Sequence, residues 1–347
     1  MRFRKHYLAD IFKCYAVSSV KINGETNLIF AGEGKDAGMY VFSGKNFDKK
    51  TTIWENSGGT MSISPLPEKD GYFLASKGFV SMVEAQESHV VIVRYKNGSF
   101  SYEKIADLPY LHRFDLLTGE DGTKYFLGAT IADYKENKED WSHPGKLYVS
   151  EFPEDLDSNI KLELDVIKDG LTINHGYCKG IYDGVEAGYI GAKEGMFVAI
   201  PPKVKGGSWQ VEQIMDTPIS DMAVIDIDGD GELEIATISP FHGDRFNIYK
   251  KINGEYKIVY SYPVYQNFYH TVVSCTLKGK PAFVGGARRN RMQLFVITYD
   301  KDKEQFISSI VDEGVGPSNS FVVNENDREI ILSANRQIGH ATAYYVE

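Results

Sequence analysis

Three of the eight histidines in this chain stand at the same position of a repeated sequence pattern. They are His112 in YLHRFDLL, His175 in TINHGYCKG and His270 in FYHTVVSC, each at the start of a run typical of a β-strand. Three converging imidazoles suit Zn²⁺, Mn²⁺ or Fe²⁺ and leave positions open for water or substrate. The shared position predicts a transition-metal site at these histidines. The alternative is that each ring only hydrogen-bonds the backbone of a neighbouring repeat.

Four polar loops are expected on the same face as these histidines. Their sequences are SPFHGDRFNIY, GGARRNRMQLF, ANRQIGHATAYY and IADYKENKEDWSHPGK. Arginine binds carboxylate or phosphate in a bidentate manner, and histidine is a common acid or base near neutral pH. Aromatic side chains such as Trp141 and Tyr134 are able to pack on a sugar ring. The loops indicate a binding surface, unless Arg288, Arg289 and Arg291 merely form solvated ion pairs.

The segment DIDGDGELE has the composition of a calcium loop. Its acidic residues, which offer oxygen ligands to a hard cation, are Asp226, Asp228, Asp230, Glu232 and Glu234. Gly231 permits the sharp turn that such a loop needs. The glutamate of an EF-hand would fall on Thr237, and no helical pattern flanks the loop, so an EF-hand is excluded. The segment predicts a structural Ca²⁺ site. The alternative is a turn without metal, held by Gly229 and Gly231.

The elements that position these residues follow from a repeat of four short β-rich runs. The clearest copy is DMAVIDIDGDGELEIATISPFHGDRFNIYKKINGEYKIVYSYPV. Spacings of roughly 45 to 63 residues between copies are typical of propeller blades. The last copy is one strand short, and the N-terminal MRFRKHYLADIF is able to supply that strand.

We therefore predict one all-β domain over residues 1–347, a seven-bladed β-propeller of four-stranded antiparallel blades whose ring the N-terminal strand closes. A pair of β-sandwiches is the alternative. In a propeller the first strand of every blade lines the central channel. The histidines and polar loops then converge at one mouth of the channel, and the acidic loop lies at the other end.

The overall composition of the chain restricts the classes of binding partner that are expected. The net charge of −10 argues against nucleic-acid binding, which needs a basic surface. The three cysteines, Cys14, Cys178 and Cys275, lie in strand-like runs and are expected to be buried thiols. No run of roughly 18 apolar residues is present, so no membrane span is predicted. We expect a cytoplasmic monomer that binds a small carbohydrate or sugar acid.

The stretch DMAVIDIDGDGELEIATIS resembles the FG-GAP/VCBS propeller repeats, in which DxDGDGxxE joins the first two strands of a blade. The resemblance implies a structural calcium at that turn. With its histidine-lined mouth, the chain also resembles the propeller of aldos-2-ulose dehydratases and of propeller polysaccharide lyases. That resemblance implies a carbon–oxygen lyase performing β-elimination on a sugar acid or keto-sugar, assisted by a metal or by arginine.

The resemblance also implies roles for individual residues. His112, His175 and His270 would hold the metal or polarise the acid. The expected acid–base groups are His242, His340, Tyr134 and Tyr177. The expected substrate contacts are Arg245, Arg288, Arg289, Arg336 and Trp141.

Two other functions stay open at this point. One is a propeller that binds glycan or protein without catalysis. The other is a glycoside hydrolase, which needs a carboxylate pair such as Asp115, Asp133 or Asp244 would supply.

Overall fold

The computed structural model describes residues 1–325 and 328–347 of the chain. Its 28 strands form seven four-stranded antiparallel sheets, which confirms the predicted seven-bladed propeller. In blades 1 to 3 the strands are β2 (Cys14–Ile22), β3 (Glu25–Gly32), β4 (Met39–Ser43), β5 (Lys49–Trp54), β6 (Ile63–Pro65), β7 (Tyr72–Lys77), β8 (His89–Lys96), β9 (Ser99–Asp107), β10 (Leu111–Thr118), β11 (Lys124–Thr130), β12 (Gly145–Glu151) and β13 (Asp165–Leu171).

Blades 4 to 6 continue the same order. Their strands are β14 (Gly176–Tyr182), β15 (Val185–Ala192), β16 (Gly195–Ile200), β17 (Gln210–Met215), β18 (Asp221–Ile225), β19 (Glu234–Ser239), β20 (Arg245–Ile252), β21 (Glu255–Ser261), β22 (Tyr269–Leu277), β23 (Lys280–Ala287), β24 (Leu294–Asp300) and β25 (Gln305–Asp312). Blade 7 consists of β26 (Asn319–Glu325), β27 (Arg328–Asn335), β28 (His340–Val346) and the N-terminal β1 (Phe3–Asp10).

The ring closes through the N-terminal strand, as the sequence predicts. β1 pairs antiparallel with β28, from Phe3 opposite Val346 to Asp10 opposite His340. The innermost strands contact one another around the whole ring, including β26 against β2. Closure covers the edge that β28 would otherwise expose to pairing with another chain.

The hydrophobic core lies between adjacent blades. The second strand of a blade is buried on both faces, so that β3 reads as the nearly continuous apolar run NLIFAG. Outer strands such as β9 and β25 instead alternate exposed and partly buried residues, because one face meets water. Phe30 and Phe42 of blade 1 pack with Ile330 and Leu332 of blade 7, so the closing interface is as apolar as the others.

Hairpin turns with Asn-Gly set the register of several strand pairs. Asn253 and Gly254, between β20 and β21, have φ of +53° and +84°. Two successive left-handed residues form the two-residue turn whose twist matches that of antiparallel strands. The described residues contain no helix, and hence no helix that would cross a membrane.

Candidate functional site

Three side chains at the channel mouth come from bulged positions of innermost strands. The pairing of β2 with β3, of β10 with β11 and of β22 with β23 skips one residue each. The skipped residues are Tyr15, His112 and His270. A bulge leaves the strict alternation of a strand and re-aims a side chain. Blades 1, 3 and 6 therefore each direct one ring into the mouth.

His175 and His242 reach the same point from blades 4 and 5. His175 precedes β14, and His242 lies in the loop between β19 and β20. The φ of His242 is +48°, a left-handed conformation that non-glycine residues rarely adopt, and its N–H donates to Ser220 Oγ at 3.2 Å. Phe241 and Phe268 stack against the His242 ring, with centroid distances of 3.8 and 4.2 Å. A strained backbone and two aromatic rings thus fix this imidazole.

These four residues, His112, His175, His242 and His270, are called the histidine cluster below. Ligand atoms of His175, His242 and His270 lie within 4.8 Å of one another, and the Nε2 atoms of His175 and His242 are 3.3 Å apart. Two nitrogens bound at about 2.1 Å to one tetrahedral ion are about 3.4 Å apart. His112 is next to this group, with its ring centroid 4.4 Å from that of His175.

Backbone carbonyls orient two of the rings. Nδ1 of His175 lies 2.8 Å from Ser220 O, and Nδ1 of His270 lies 2.6 Å from Ser318 O. Since a carbonyl only accepts, both Nδ1 atoms carry the proton and both Nε2 atoms keep a lone pair. Histidine ligands of metals commonly donate their other N–H in this manner. The donor set therefore fits a transition metal.

Burial keeps the cluster neutral. Desolvation holds the pKa of His112, His242 and His270 well below the ordinary 6.5, and it lowers the pKa of His175 to about 3. The positive charges of Arg113 and Arg288 act in the same direction. Neutral imidazole is the form that binds a metal.

Tyr15 joins two of the rings. Its hydroxyl lies 3.3 Å from Nε2 of His112 and 3.5 Å from Nε2 of His270. Desolvation raises the pKa of Tyr15 to about 12, so this phenol is protonated near neutral pH. A hydroxyl between two imidazoles is able to exchange a proton with His112.

The cluster forms one wall of a pocket of about 430 Å³, called the mouth pocket below. Its charged lining residues are Lys13, Glu33, Lys138, Arg288 and Arg336. Arg336 donates to Glu33 Oε1 through Nε at 2.8 Å. Arg288 lies over the Phe268 ring at 4.5 Å, and burial lowers the pKa of its guanidinium to about 10 without removing its charge at neutral pH. With four cations and one carboxylate, the mouth pocket favours an anion although the whole chain is acidic.

Arg113 separates the mouth pocket from a second cavity. It is buried in the channel and contacts Met61 O at 3.2 Å, Asp221 Oδ2 at 3.4 Å and Asn319 Oδ1 at 3.3 Å. These partners belong to blades 2, 5 and 7, so one guanidinium spans the channel. A cavity of about 550 Å³ lies on its far side, and burial raises the pKa of Asp221 to about 6. We call this cross-channel contact the channel floor.

The predicted acid–base residues lie in different places. His242 belongs to the cluster. Tyr177 lines the cavity beyond the channel floor, where burial raises its pKa well above 10.0. Tyr134 is exposed and packs on His143, whereas His340 starts β28 beside Asp10, with Nε2 3.4 Å from Oδ1. Neither Tyr134 nor His340 lines the mouth pocket.

The predicted substrate contacts also separate. Arg288 and Arg336 line the mouth pocket. Arg289 is exposed beside Phe268, and Arg245 is exposed at the start of β20. Trp141 packs on Phe241 and carries the Lys135 ammonium 3.3 Å from its ring centroid. None of the last three residues lines the mouth pocket.

The candidate carboxylate pair of a glycoside hydrolase is spread out as well. Asp115 lies on β10 and lines the cavity beyond the channel floor. Asp133 pairs with Lys146 at 3.1 Å, and Asp244 lies in the exposed loop before β20. The mouth pocket has none of these three carboxylates in its lining.

The acidic loop joins β18 to β19, at the opposite end of blade 5 from His242. Oxygens of Asp226, Asp228 and Glu234 lie within 4.8 Å of one another, and carboxylate oxygens are the kind of ligand that calcium prefers. The ammonium of Lys250 on β20, however, contacts Asp228, Asp230 and Glu234. Lys250 thus already supplies a positive charge to two of these three carboxylates and to Asp230, and the calcium site stays a prediction.

Comparison with protein-family models finds no match for this chain, and comparison with curated proteins finds no significant match. The propeller architecture is thus established by its strands. The resemblance to FG-GAP/VCBS repeats and to propeller lyases and dehydratases stays a prediction.

Proposed function

We propose that the mouth pocket is the active site of a metal-assisted lyase that acts on a small sugar acid. His175, His242 and His270 would hold a divalent transition metal, and Arg288 would bind the carboxylate of the substrate. The observation that supports this most is the set of three clustered ring nitrogens, two of them on rings whose Nδ1 atoms are engaged by backbone carbonyls. Arg336 is less available to bind a carboxylate of the substrate, because its guanidinium is already paired with Glu33.

When bound, the metal would act as a Lewis acid that stabilises negative charge on the substrate carboxylate during removal of the neighbouring proton. The protein's own groups would handle that proton. Tyr15, whose hydroxyl lies 3.3 Å from His112 Nε2, would receive it from carbon while passing its own proton to that nitrogen. As the carbon–carbon double bond forms and the carbon–oxygen bond breaks, the Tyr15–His112 pair returns one proton to the leaving oxygen. Atoms and charge then balance without another reactant.

The burial of the histidine rings supports such chemistry. His112, His175 and His270 are almost entirely buried, and Phe79, Phe241 and Phe268 contribute to the apolar part of the lining. A low local dielectric strengthens the interaction between Arg288 and a carboxylate. It also disfavours loose binding of inorganic anions that lack an apolar ring.

The test combines metal analysis with product detection. Protein purified without a histidine tag is dialysed and its metals are measured. We expect about one equivalent of Mn, Fe or Zn, lost in His175→Ala and retained in His143→Ala, a control at an exposed histidine. Uronates and keto-sugars are then screened for the ultraviolet absorbance of an unsaturated product. We expect turnover to fall at least 100-fold in Tyr15→Phe with the metal retained.

Two results would contradict the proposal. Metal content that is unaffected by His175→Ala would remove the cluster as the ligand set. Ligand binding in the mouth pocket without any turnover would instead favour the glycan-binding propeller, whose aromatic wall is also present here.

A further inference from the structure

The acidic loop has a positively charged partner in its own blade, the side chain of Lys250. Lys250 Nζ lies 2.7 Å from Asp230 Oδ2 and 2.8 Å from Glu234 Oε1, and it also contacts Asp228. The side chain of Lys250 is 17% exposed, and that of Glu234 is fully buried. A buried carboxylate of this kind needs a positive partner.

Strand pairing places this lysine, independently of the loop. β19 pairs with β20 with Ile235 opposite Tyr249, so the next position along the ladder sets Lys250 beside Glu234. Neighbouring residues on the same face of a sheet have Cβ atoms about 5 Å apart. The lysine thus reaches the carboxylates because of sheet register.

The loop also has its own hydrogen bonds. Asp226 accepts N–H groups from Gly229 at 2.6 Å, Asp230 at 3.1 Å and Gly231 at 2.9 Å. Glu234 Oε2 accepts the N–H of Ile227 at 2.9 Å. Backbone amides therefore hold the turn, and Lys250 contacts the carboxylates of Asp228, Asp230 and Glu234.

A second lysine lies over the same loop. The ammonium of Lys301, in the turn between β24 and β25 of blade 6, lies against Gly229. Positive charge thus approaches the loop from its own blade and from the next one. This arrangement opposes a divalent cation electrostatically.

We propose that Lys250 is a built-in cation that closes this loop in place of calcium. Blade 5 then folds without divalent metal, and calcium and Lys250 compete for Asp228, Asp230 and Glu234. Replacing Lys250 by a neutral side chain of similar length would convert the loop into a calcium-binding turn. The inference concerns the end of the propeller away from the mouth pocket and does not depend on the proposed function.

The experiment compares the wild-type chain, Lys250→Met and Lys251→Met, a control at an exposed neighbouring lysine. Each protein is treated with EDTA, and its thermal unfolding is measured with and without saturating CaCl₂. We expect no calcium effect on the wild type or the control. Lys250→Met should unfold at a lower temperature in EDTA, and calcium should raise its midpoint by roughly 3 °C or more. Calorimetric titration should give one equivalent of bound Ca²⁺ in Lys250→Met.

Tight binding of one Ca²⁺ to the wild-type chain would overturn the inference, and this measurement does not require the variant to fold. A Lys250→Met protein that folds but binds no calcium would overturn it as well.

Discussion

At the scale of residues, the histidine cluster is four neutral imidazoles packed where water is scarce. Their neutrality has a direct thermodynamic consequence. An unfolded histidine takes up a proton near pH 6.5, whereas the buried rings resist protonation to much lower pH. The unfolded state therefore binds more protons as the pH falls, and folding stability declines with it.

We predict that stability is full above about pH 6.5 and falls toward pH 5. Each ring whose folded pKa stays below 5 would contribute a loss of about 2 kcal/mol at pH 5. Asp221 has the opposite effect on stability, because its folded pKa of about 6 makes the folded state take up a proton before the unfolded state does. It is a single group, whereas four histidines act in the other direction. Urea unfolding at pH 7.5, 6 and 5, with metal removed, measures the slope. His112→Gln should have a shallower slope, and equal stability at pH 7.5 and 5 would disprove the prediction.

All four histidines of this cluster are candidate site residues from the sequence, whereas Tyr15 is not. His112, His175 and His270 stand at one repeat position, and repeat position determines which strand end a residue occupies. Tyr15 begins a repeat copy in the same way. A single tyrosine looks like an ordinary strand residue, and the bulge that turns it inward leaves no mark in the sequence.

At the scale of elements, the channel floor ties four blades together through one side chain. Arg113 follows His112 in the chain, so bulging of His112 directs the next residue across the channel. Removing the charge of one partner in a buried ion pair leaves the other charge buried without a counter-charge.

We predict that Arg113→Met destabilises the protein by about 3–5 kcal/mol, because it leaves Asp221 buried without a cation. The double variant Arg113→Met/Asp221→Asn should recover most of that loss, since the asparagine oxygen still accepts the N–H of Met222. A double-mutant cycle by urea unfolding measures the coupling. If the double variant is no more stable than Arg113→Met, the ion pair does not explain the loss.

Strand register is the element-scale property that the sequence did not reveal. The acidic loop is recognisable from its residues alone. The position of Lys250 opposite Glu234, however, depends on how β19 and β20 align. His340 shows the same limit. Its loop faces the mouth, yet pairing of β28 with β1 places this histidine beside Asp10 at the outer edge of blade 7.

At the scale of the whole molecule, ring closure depends on eight N-terminal residues. Blade number and closure were predictable, because the repeat length and the missing last strand are both visible in the sequence. The contact of β26 with β2 and the shared core of blades 1 and 7 make closure cooperative with the rest of the fold.

We predict that deletion of residues 1–10 lowers the urea midpoint strongly and promotes aggregation, because it exposes the edge of β28. Arg4→Ala is the matched control. It removes an exposed ion pair with Glu347 and a cation–π contact with Tyr345, and it should change stability by about 1 kcal/mol or less. Light scattering and urea unfolding report both effects. A truncated chain as stable and as monodisperse as the full chain would show that β1 is dispensable for closure.

The channel floor also affects how molecules enter and leave the mouth pocket. Since the Arg113 guanidinium contacts residues of blades 2, 5 and 7, it lies across the route from the mouth pocket to the far end of the channel. If the mouth pocket has the proposed function, chain ends and short oligomers would reach the cluster more readily than the interior of a long polysaccharide. Substrate would enter and product would leave through the same mouth of the channel. Accumulated product should therefore compete with substrate for the mouth pocket.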